Sequence, residues 1–159
     1  MEESRFNHPD YYNKNKSGIE CIEIIRYYLT DIGNALKYLW RAGLKKEEGL
    51  TDIEKEIEDI NKAIWYINDR INFLGENSLL FEYISDEQEI DLKIEEHPLN
   101  DLYDLNSIIN SYNENISFAM KNLLFCGFPS YFIDVNIEIK ILIDVIKNLE
   151  EYKNNCIKK

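Results

Sequence analysis

Apolar residues recur at helical spacing along most of this chain. The clearest run follows Thr51 or Asp52, either of which can cap a helix, and it ends at Gly75. Its apolar positions alternate steps of four and three residues: Ile53, Ile57, Ile60, Ile64, Ile67 and Ile71. This period puts them on one face, so it predicts a long amphipathic helix. A first helix is predicted at about 19–29, with inward positions Ile22, Ile25 and Leu29.

Between these two helices the pattern predicts a third, from an N-cap at Thr30 to a stop at Gly43. Its apolar face holds Ile32, Leu36, Leu39 and Trp40. The opposite face holds Asn34, Lys37, Tyr38 and Arg41, spaced at i, i+3, i+4 and i+7. Two cations, an amide and a phenol on one helix face can hold a phosphate and a base.

The pattern then repeats. When residues 20–43 are aligned without gaps with residues 104–127, the identical pairs include Ile24/Ile108, Tyr28/Tyr112, Ala35/Ala119, Lys37/Lys121 and Gly43/Gly127. Both halves begin with His-Pro and end in a long stripe, the second with Val135, Ile139, Leu142, Ile146 and Leu149. These matches predict an internal duplication. Most of the polar face is lost in the second copy, where Phe118, Asn122 and Phe125 replace Asn34, Tyr38 and Arg41.

The predicted fold is therefore an all-α bundle of two similar hairpins related by a pseudo-twofold axis. Residues 1–75 form a motif-bearing half with an irregular polar N-terminal arm. Residues 76–98 form an acidic linker, with a short helix near Leu79–Ile84, and residues 99–159 form a degenerate, mainly structural half. The length of 159 residues suits one compact domain.

The net charge of the chain limits which molecules it can bind. The net charge of −12 disfavours nucleic acid and anionic membranes, so a local cationic stripe stands out. We expect no targeting or membrane-spanning segment, because the N-terminus is polar and no apolar run is long enough. Cys21, Cys126 and Cys156 lack metal-ligand spacing and are expected to be free thiols of a reducing cytoplasm.

Four carboxylates are candidates for metal binding or catalysis. Glu20 and Glu23 share a face of the first helix, and Glu56 and Asp59 share a face of the long helix. If the helices pack antiparallel, the four could converge on Mg²⁺, which prefers oxygen ligands. The spacing resembles the ExxE and ExxD pairs of all-α MazG-type nucleotide pyrophosphohydrolases. Solvated carboxylates on helix surfaces are the alternative interpretation.

Several aromatic residues could cover a ligand. Trp65 and Tyr66 lie on the long helix, where aromatic side chains usually belong to the core. Tyr11 and Tyr12 lie in the polar arm with few core neighbours, so we expect that arm to fold over a ligand while adding little to stability. The sequence has no P-loop and no dinucleotide-binding glycine pattern, which excludes an ordinary P-loop kinase.

Several short motifs, taken in order, resemble a small phage-encoded nucleotide-kinase-like family with the patterns HPxHY, GGIExID, GNAxKYLWR and DLxKAxWYL. The matching segments here are 8–12, 17–23, 33–41 and 59–67, and a Lys-rich loop at Lys45 and Lys46 lies between the last two. The resemblance covers residues 7–71. Tyr11 stands where that family has a second histidine, and Ser17 stands where it has a first glycine.

The resemblance implies nucleotide binding in the cytoplasm of an infected bacterium, with Lys45 and Lys62 joining the polar face of the third helix. We expect sequestration of a nucleotide or nucleotide-derived defence signal without turnover and without a cofactor. The alternatives are a nucleoside monophosphate kinase lacking a P-loop and a MazG-like pyrophosphohydrolase. Either would use Mg²⁺, with Glu20, Glu23 and Asp59 as candidate catalytic residues. A homo-oligomer is compatible with each function.

Overall fold

A computed structural model describes residues 10–13, 15–77, 93–129 and 133–158. The helices are α1 (Asp10–Asn13), α2 (Cys21–Ile25), α3 (Thr30–Arg41), α4 (Asp52–Glu76), α5 (Leu105–Ile109), α6 (Glu114–Phe125) and α7 (Val135–Ile157). No strand occurs within those ranges, so the all-α prediction is confirmed. No helix in the same ranges combines the length and apolarity that crossing a bilayer requires.

The long helix α4 begins where the sequence predicts. Thr51 and Glu54 form a reciprocal capping box, in which each side chain accepts a hydrogen bond from the other residue's backbone N–H. Ile60, Ile64 and Ile67 are buried, as the stripe requires. Ile53 is 50% exposed, so the first turn of the stripe does not belong to the core. Helix α4 packs against α3 on one side and α7 on the other.

The first helix is shorter than predicted. Helix α2 is a five-residue segment in which Glu20 and Glu23 form a capping box. Because the chain turns after Ile25, the inward positions differ from those expected: Ile24 is 1% exposed, whereas Ile22 is 51% and Leu29 is 42% exposed.

Helix α3 buries the predicted apolar face, including Ile32, Leu36, Leu39 and Trp40. It begins at Thr30, but Thr30 is not its N-cap; Leu29 holds that position and makes no side-chain capping bond. The helix ends before Gly43, whose φ of 73° lies in the left-handed region that glycine tolerates best. Helix α3 packs against α4.

In the second half, α6 packs against α7 and α3. Asn113 caps α6 by accepting hydrogen bonds from the N–H groups of Asn115 and Ile116, and Asp134 caps α7 in the same way. In α7, Leu142 and Leu149 of the predicted stripe are fully buried, and Val145 joins them. The other predicted members are half-buried at the edge of the core: Val135, Ile139 and Ile146.

Most of the predicted acidic linker, including the helix expected near Leu79–Ile84, lies outside the described residues. Its last residues, 93–98, are described: Ile94 and His97 are packed into the protein, whereas Lys93, Glu95, Glu96 and Pro98 are exposed. Ile94 is 3% and His97 is 2% exposed, and short 3₁₀ turns cover Ile94–Glu96 and Pro98–Asp101. The predicted duplication and pseudo-twofold axis are not shown by the arrangement of these helices.

Candidate functional site

The polar face of α3 meets α4 at a buried ion pair. The Nε and Nη2 atoms of Arg41 donate to the same oxygen of Asp59, Oδ1, at 3.0 and 2.7 Å. Arg41 is 8% exposed and Asp59 is completely buried. The sequence presents Arg41 as a cation free to bind a ligand. In the structure two of its N–H groups are instead directed at Asp59.

Lys55 joins this pair, and sequence analysis did not select it. Its side chain is 1% exposed, and its Nζ lies 3.3 Å from Asp59 Oδ1, 3.0 Å from Glu58 and 3.1 Å from Glu47. Burial alone would lower the pKa of Lys55, but hydrogen bonds to Glu58 and Glu47 and the charge of Asp59 outweigh burial and raise that pKa. The spacing of Lys55 from Glu58 and Asp59, i+3 and i+4, was the available signal.

The two carboxylate oxygens of Asp59 differ in their hydrogen bonding. Oδ1 accepts from both Arg41 and Lys55, whereas Oδ2 is buried and has no hydrogen-bond partner within the described residues. An unsatisfied buried acceptor is costly, so it invites explanation. The neighbouring carboxylate is in the opposite situation: hydrogen bonds from Lys62 and Lys55 lower the pKa of Glu58 to about 2.

Aromatic rings from both α3 and α4 lie beside the ion pair. Tyr38 and Tyr66 stack with centroids 5.7 Å apart, and Trp65 meets Tyr66 edge-on at 4.9 Å. The guanidinium carbon of Arg41 lies 4.4 Å from the Tyr38 centroid, and Lys62 Nζ lies 5.8 Å from it. Trp65 is 62% exposed, so the expectation that it belongs to the core is wrong.

A second aromatic pair covers the site from the N-terminal arm. Tyr11 and Tyr12 have centroids 4.6 Å apart, and Lys45 Nζ lies 5.7 Å from the Tyr11 ring. The Trp40 indole N–H donates to the Tyr12 carbonyl at 3.2 Å. Burial raises the pKa of Tyr12, and a hydrogen bond and the positive charge of Arg41 act against that rise.

In the described part of the arm, residues 10–13 form one helical turn where the sequence predicted an irregular segment, and Tyr12 packs against the hydrophobic core. Asn15 is 5% exposed, and its amide donates to the Tyr112 hydroxyl at 2.9 Å. The expectation that this segment contributes little to the core is wrong for Tyr12 and Asn15; residues 1–9 lie outside the described ranges.

The remaining residues of the α3 face differ in availability. The Asn34 amide donates to the Thr30 carbonyl of its own helix at 2.8 Å. Lys37 is half-buried and forms no ion pair with any residue in the described ranges. Its charge and that of Arg41 act on Cys21, although burial dominates and raises the pKa of that thiol to about 12. On this face of α3, Lys37 is therefore the cation whose charge is not neutralised by an ion pair within the described residues.

The four candidate carboxylates do not converge. Glu20 and Glu23 cap α2, Glu56 accepts a hydrogen bond from the Tyr152 hydroxyl at 2.8 Å, and Asp59 is paired with Arg41 and Lys55. Across residues 10–13, 15–77, 93–129 and 133–158, no three His, Cys, Asp or Glu side chains are grouped closely enough to hold a metal ion.

A cleft opens at the other end of the α3–α4 pair. We call it the terminal cleft; its volume is about 570 Å³ and its lining residues are Leu29, Thr30, Asp31, Tyr66, Asp69, Arg70, Asn72, Phe73 and Glu76. Arg70 is neutralised by Glu138, with Nε–Oε1 and Nη2–Oε2 distances of 2.9 and 3.3 Å. Tyr66 belongs both to the wall of this cleft and to the stack on Tyr38, so it connects the cleft with the cations.

The comparisons with known proteins concern the half that carries this site. No curated protein and no solved structure matches the chain. Residues 6–68 match DUF3310, a family described as a protein of unknown function. That description names no activity, so the nucleotide-kinase-like resemblance stays a prediction. The matched region contains α1 to α3 and α4 as far as Asn68: residues 6–68 carry a DUF3310 domain.

Proposed function

We propose that this protein binds a nucleotide between α1, α3 and α4 and sequesters it without chemical turnover. The observation that carries the proposal is one unbroken chain of contacts. Arg41 interacts with Tyr12 on one side and with the Tyr38 ring on the other, and Lys62 also lies over Tyr38. Cations and aromatic faces in direct contact are what a phosphate joined to a base requires.

The cations have distinct roles. We define the cation cluster as Lys37, Arg41, Lys45, Lys55 and Lys62. The carboxylates that form ion pairs with it are Glu47, Glu58 and Asp59, so five cations share three paired carboxylates. Lys37, Lys45 and Lys62 are partly exposed and can contact phosphate oxygens. Arg41 and Lys55 are buried, so they contribute to the positive potential of the site without contacting the ligand directly.

Anion binding here is notable against the charge of the whole chain. A net charge of −12 repels anions at long range, so a polyphosphate would not be attracted to most of the surface. The cation cluster provides a local exception, and two pairs of tyrosines beside it provide stacking surfaces. The cellular setting that suits this proposal is a bacterial cytoplasm during phage infection, where removal of a nucleotide signal would be useful to the phage.

A nucleoside monophosphate kinase is the second candidate. The observation that favours it is Asp59 Oδ2, which has no hydrogen-bond partner among the described residues and lies in a carboxylate beside Arg41 and Lys55. If ligand binding exposed this buried oxygen, it could accept a proton from a substrate hydroxyl. Sequestration is preferred because Asp59 Oδ1 is already occupied by Arg41 and Lys55, and Glu58 by Lys55 and Lys62. These carboxylates serve to hold the cations.

One experiment separates the two candidates. The full chain is incubated with nucleoside mono-, di- and triphosphates in the presence of Mg²⁺, and protein-bound and free fractions are chromatographed. Sequestration predicts unchanged, protein-bound nucleotide; the kinase predicts a phosphorylated product. Lys37→Ala should weaken binding about tenfold, which is about 1.4 kcal/mol. Lys121→Ala, at the corresponding position of α6, is the matched control. Failure of every nucleotide to bind would contradict both candidates.

We also infer that the second half arose by duplication and serves as a built-in partner. The support is that corresponding helices have closely similar lengths: α2 and α5 have five residues, α3 and α6 have 12, and α4 and α7 have 25 and 23. Gly43 follows α3 and Gly127 follows α6, and both glycines have a positive φ. An isolated first half, residues 1–77, should then dimerise or fail to fold, as ultracentrifugation would determine.

A further inference from the structure

We propose that the ligand of this site is a dinucleotide, with one base beside the N-terminal arm and the other in the terminal cleft. This inference rests on the proposed nucleotide binding and specifies the class of ligand. The observation behind it is that the site has aromatic surfaces at both ends and cations in the middle. A mononucleotide would use only one of those ends.

The first base subsite is formed by Tyr11 and Tyr12. Both rings are half-buried, so each keeps an exposed part on which a base can stack. Lys45 lies against Tyr11 and Arg41 interacts with Tyr12, which puts a cation directly beside each ring. A base stacked here has its phosphate in contact with the cation cluster. Such stacking contributes about 1–3 kcal/mol per base.

The second base subsite is the terminal cleft. Its volume of about 570 Å³ is within the range of small-molecule sites, and its aromatic walls are Tyr66 and Phe73, which lie two turns apart on α4. Phe73 is 49% exposed. The amide of Asn72 and the carboxylate of Asp69 lie between these rings in the sequence and can bond with base edges.

Charge determines which part of the ligand enters the cleft. Asp31, Asp69 and Glu76 line it, and its one arginine, Arg70, is already neutralised by Glu138. Phosphate would therefore be repelled from the cleft and attracted to the cation cluster. A neutral base meets no such repulsion. The α3–α4 pair is thus electrostatically divided, with phosphates favoured at the Arg41 end and a base favoured at the Thr30 end.

The dimensions agree with this division. Thr30, which lines the cleft, and Arg41 are 11 residues apart on α3, or about 16 Å along the helix axis. Lys37 lies between them on the same helix, and Lys62 and Tyr66 are one turn apart on α4. One nucleoside monophosphate is shorter than this span and would occupy only one of the two aromatic ends. A ligand with phosphates at its centre and a base at each end would present one base to each end.

The test is isothermal titration calorimetry of the full chain with defined probes. These are adenosine and guanosine 5′-monophosphate, the linear dinucleotides pApA and pGpG, and the corresponding 3′,5′-cyclic dinucleotides; the linear and cyclic forms distinguish the two sources of a two-base ligand. At least one dinucleotide should bind tenfold or more tightly than its mononucleotide. Tyr11→Ala and Phe73→Ala should each weaken dinucleotide binding about tenfold. Phe118→Ala, which removes an exposed ring of α6, is the control and should change nothing.

The possible results distinguish failure of the dinucleotide inference from failure of the proposed nucleotide binding. If dinucleotides bind no more tightly than mononucleotides while Lys37→Ala still weakens mononucleotide binding, the inference is overturned and the proposed function stands. If Phe73→Ala leaves dinucleotide affinity unchanged, the terminal cleft is not a base subsite and the inference is also overturned. If no probe binds, both are rejected. Circular dichroism of each variant verifies folding before titration.

Discussion

The hydroxyl of Tyr28 donates a hydrogen bond to the backbone carbonyl of Leu124 at 2.8 Å. A second tyrosine makes the same kind of hydrogen bond: the Tyr112 hydroxyl donates to the Trp40 carbonyl, also at 2.8 Å. In both cases the second residue of the pair lies in the other half of the chain, and the two pairs correspond at an offset of 84 residues. Each half of the chain therefore donates one tyrosine hydroxyl to a backbone carbonyl of the other half.

The two tyrosines should differ in how much they stabilise the fold. In Tyr28→Phe, Leu124 still accepts a hydrogen bond from His97 Nε2 at 2.8 Å. In Tyr112→Phe, the Trp40 carbonyl and the Asn15 amide both lose their partner. We expect losses of about 1 kcal/mol for Tyr28→Phe and about 2 kcal/mol for Tyr112→Phe in the free energy of unfolding, measured by urea titration. A larger loss for Tyr28→Phe would contradict this assignment.

His97 should make stability depend on pH. Its Nδ1 accepts from the Leu99 N–H at 3.1 Å, which puts the proton of the neutral ring on Nε2. Burial lowers the pKa of His97, and the hydrogen bond to the Leu124 carbonyl only partly offsets this. The unfolded chain therefore binds a proton at a higher pH, about 6.5, than the folded chain does. Stability is fully present above that pH and decreases as pH falls towards the lower, folded-state pKa.

The measurement compares urea unfolding at pH 7.5 and pH 5 for the wild type and His97→Asn, since asparagine can retain the capping bond to Leu99. The wild type should lose more stability than the variant between these two pH values. Subtracting the variant removes the general effect of acid on a chain of net charge −12. Equal losses would show that His97 does not titrate between those pH values.

The ion pair between Arg41 and Asp59 should contribute to folding more than to ligand affinity. Arg41→Ala leaves the buried Asp59 with Lys55 as its remaining ionic partner, and we expect a loss of about 3 kcal/mol. Asp59→Ala should cost more, because it leaves two buried cations. Lys62→Ala, which removes a partly exposed cation, should cost under about 1 kcal/mol. Thermal unfolding orders the three variants, and equal stability of Arg41→Ala and wild type would contradict the prediction.

Two corresponding glycines should respond differently to alanine. Gly43 and Gly127 have φ values of 73° and 66°, so either substitution introduces backbone strain of about 1 kcal/mol. A Cβ at Gly43 would lie 3.6 Å from Glu56, which is ordinary contact, whereas at Gly127 it would lie 2.7 Å from Ile32 Cγ1. Gly127→Ala should therefore cost about 1–3 kcal/mol more than Gly43→Ala in chemical denaturation. Similar values would indicate that Ile32 can move aside.

Helical periodicity predicted which faces would be buried, and the core residues of α3 and the centre of α4 follow it closely. It could not predict which charges pair between helices, because spacing within one helix does not specify its neighbour. Lys55 and Asp59 are adjacent to the isoleucine stripe, and both are buried at the place where Asp59 pairs with Arg41 of α3. The sequence therefore identified the cationic face but not the ion pair that Arg41 forms with Asp59, and the assignment of Arg41 to a ligand stays a prediction.

The aromatic residues also show what helical periodicity cannot predict. Trp65 follows Ile64 by one position, and one residue rotates a helix by about 100°, so the residue after a stripe position faces outward. Treating Trp65 and Tyr66 as one core pair ignored that rotation. The arm differs because its order depends on single tertiary bonds, such as that from Trp40 to the Tyr12 carbonyl, which no periodic pattern encodes.

The contrasting positions of the two tryptophans give the protein two optical probes. Trp40 is 1% exposed and Trp65 is 62% exposed, and the chain contains no other tryptophan. Emission from Trp40 should be blue-shifted and protected from acrylamide, and it should report global unfolding. Emission from Trp65 should be red-shifted and readily quenched, and its contact with Tyr66 makes it responsive to occupation of the adjacent cleft. Each Trp→Phe variant would then isolate one signal, so ligand binding and unfolding could be followed separately without an added label.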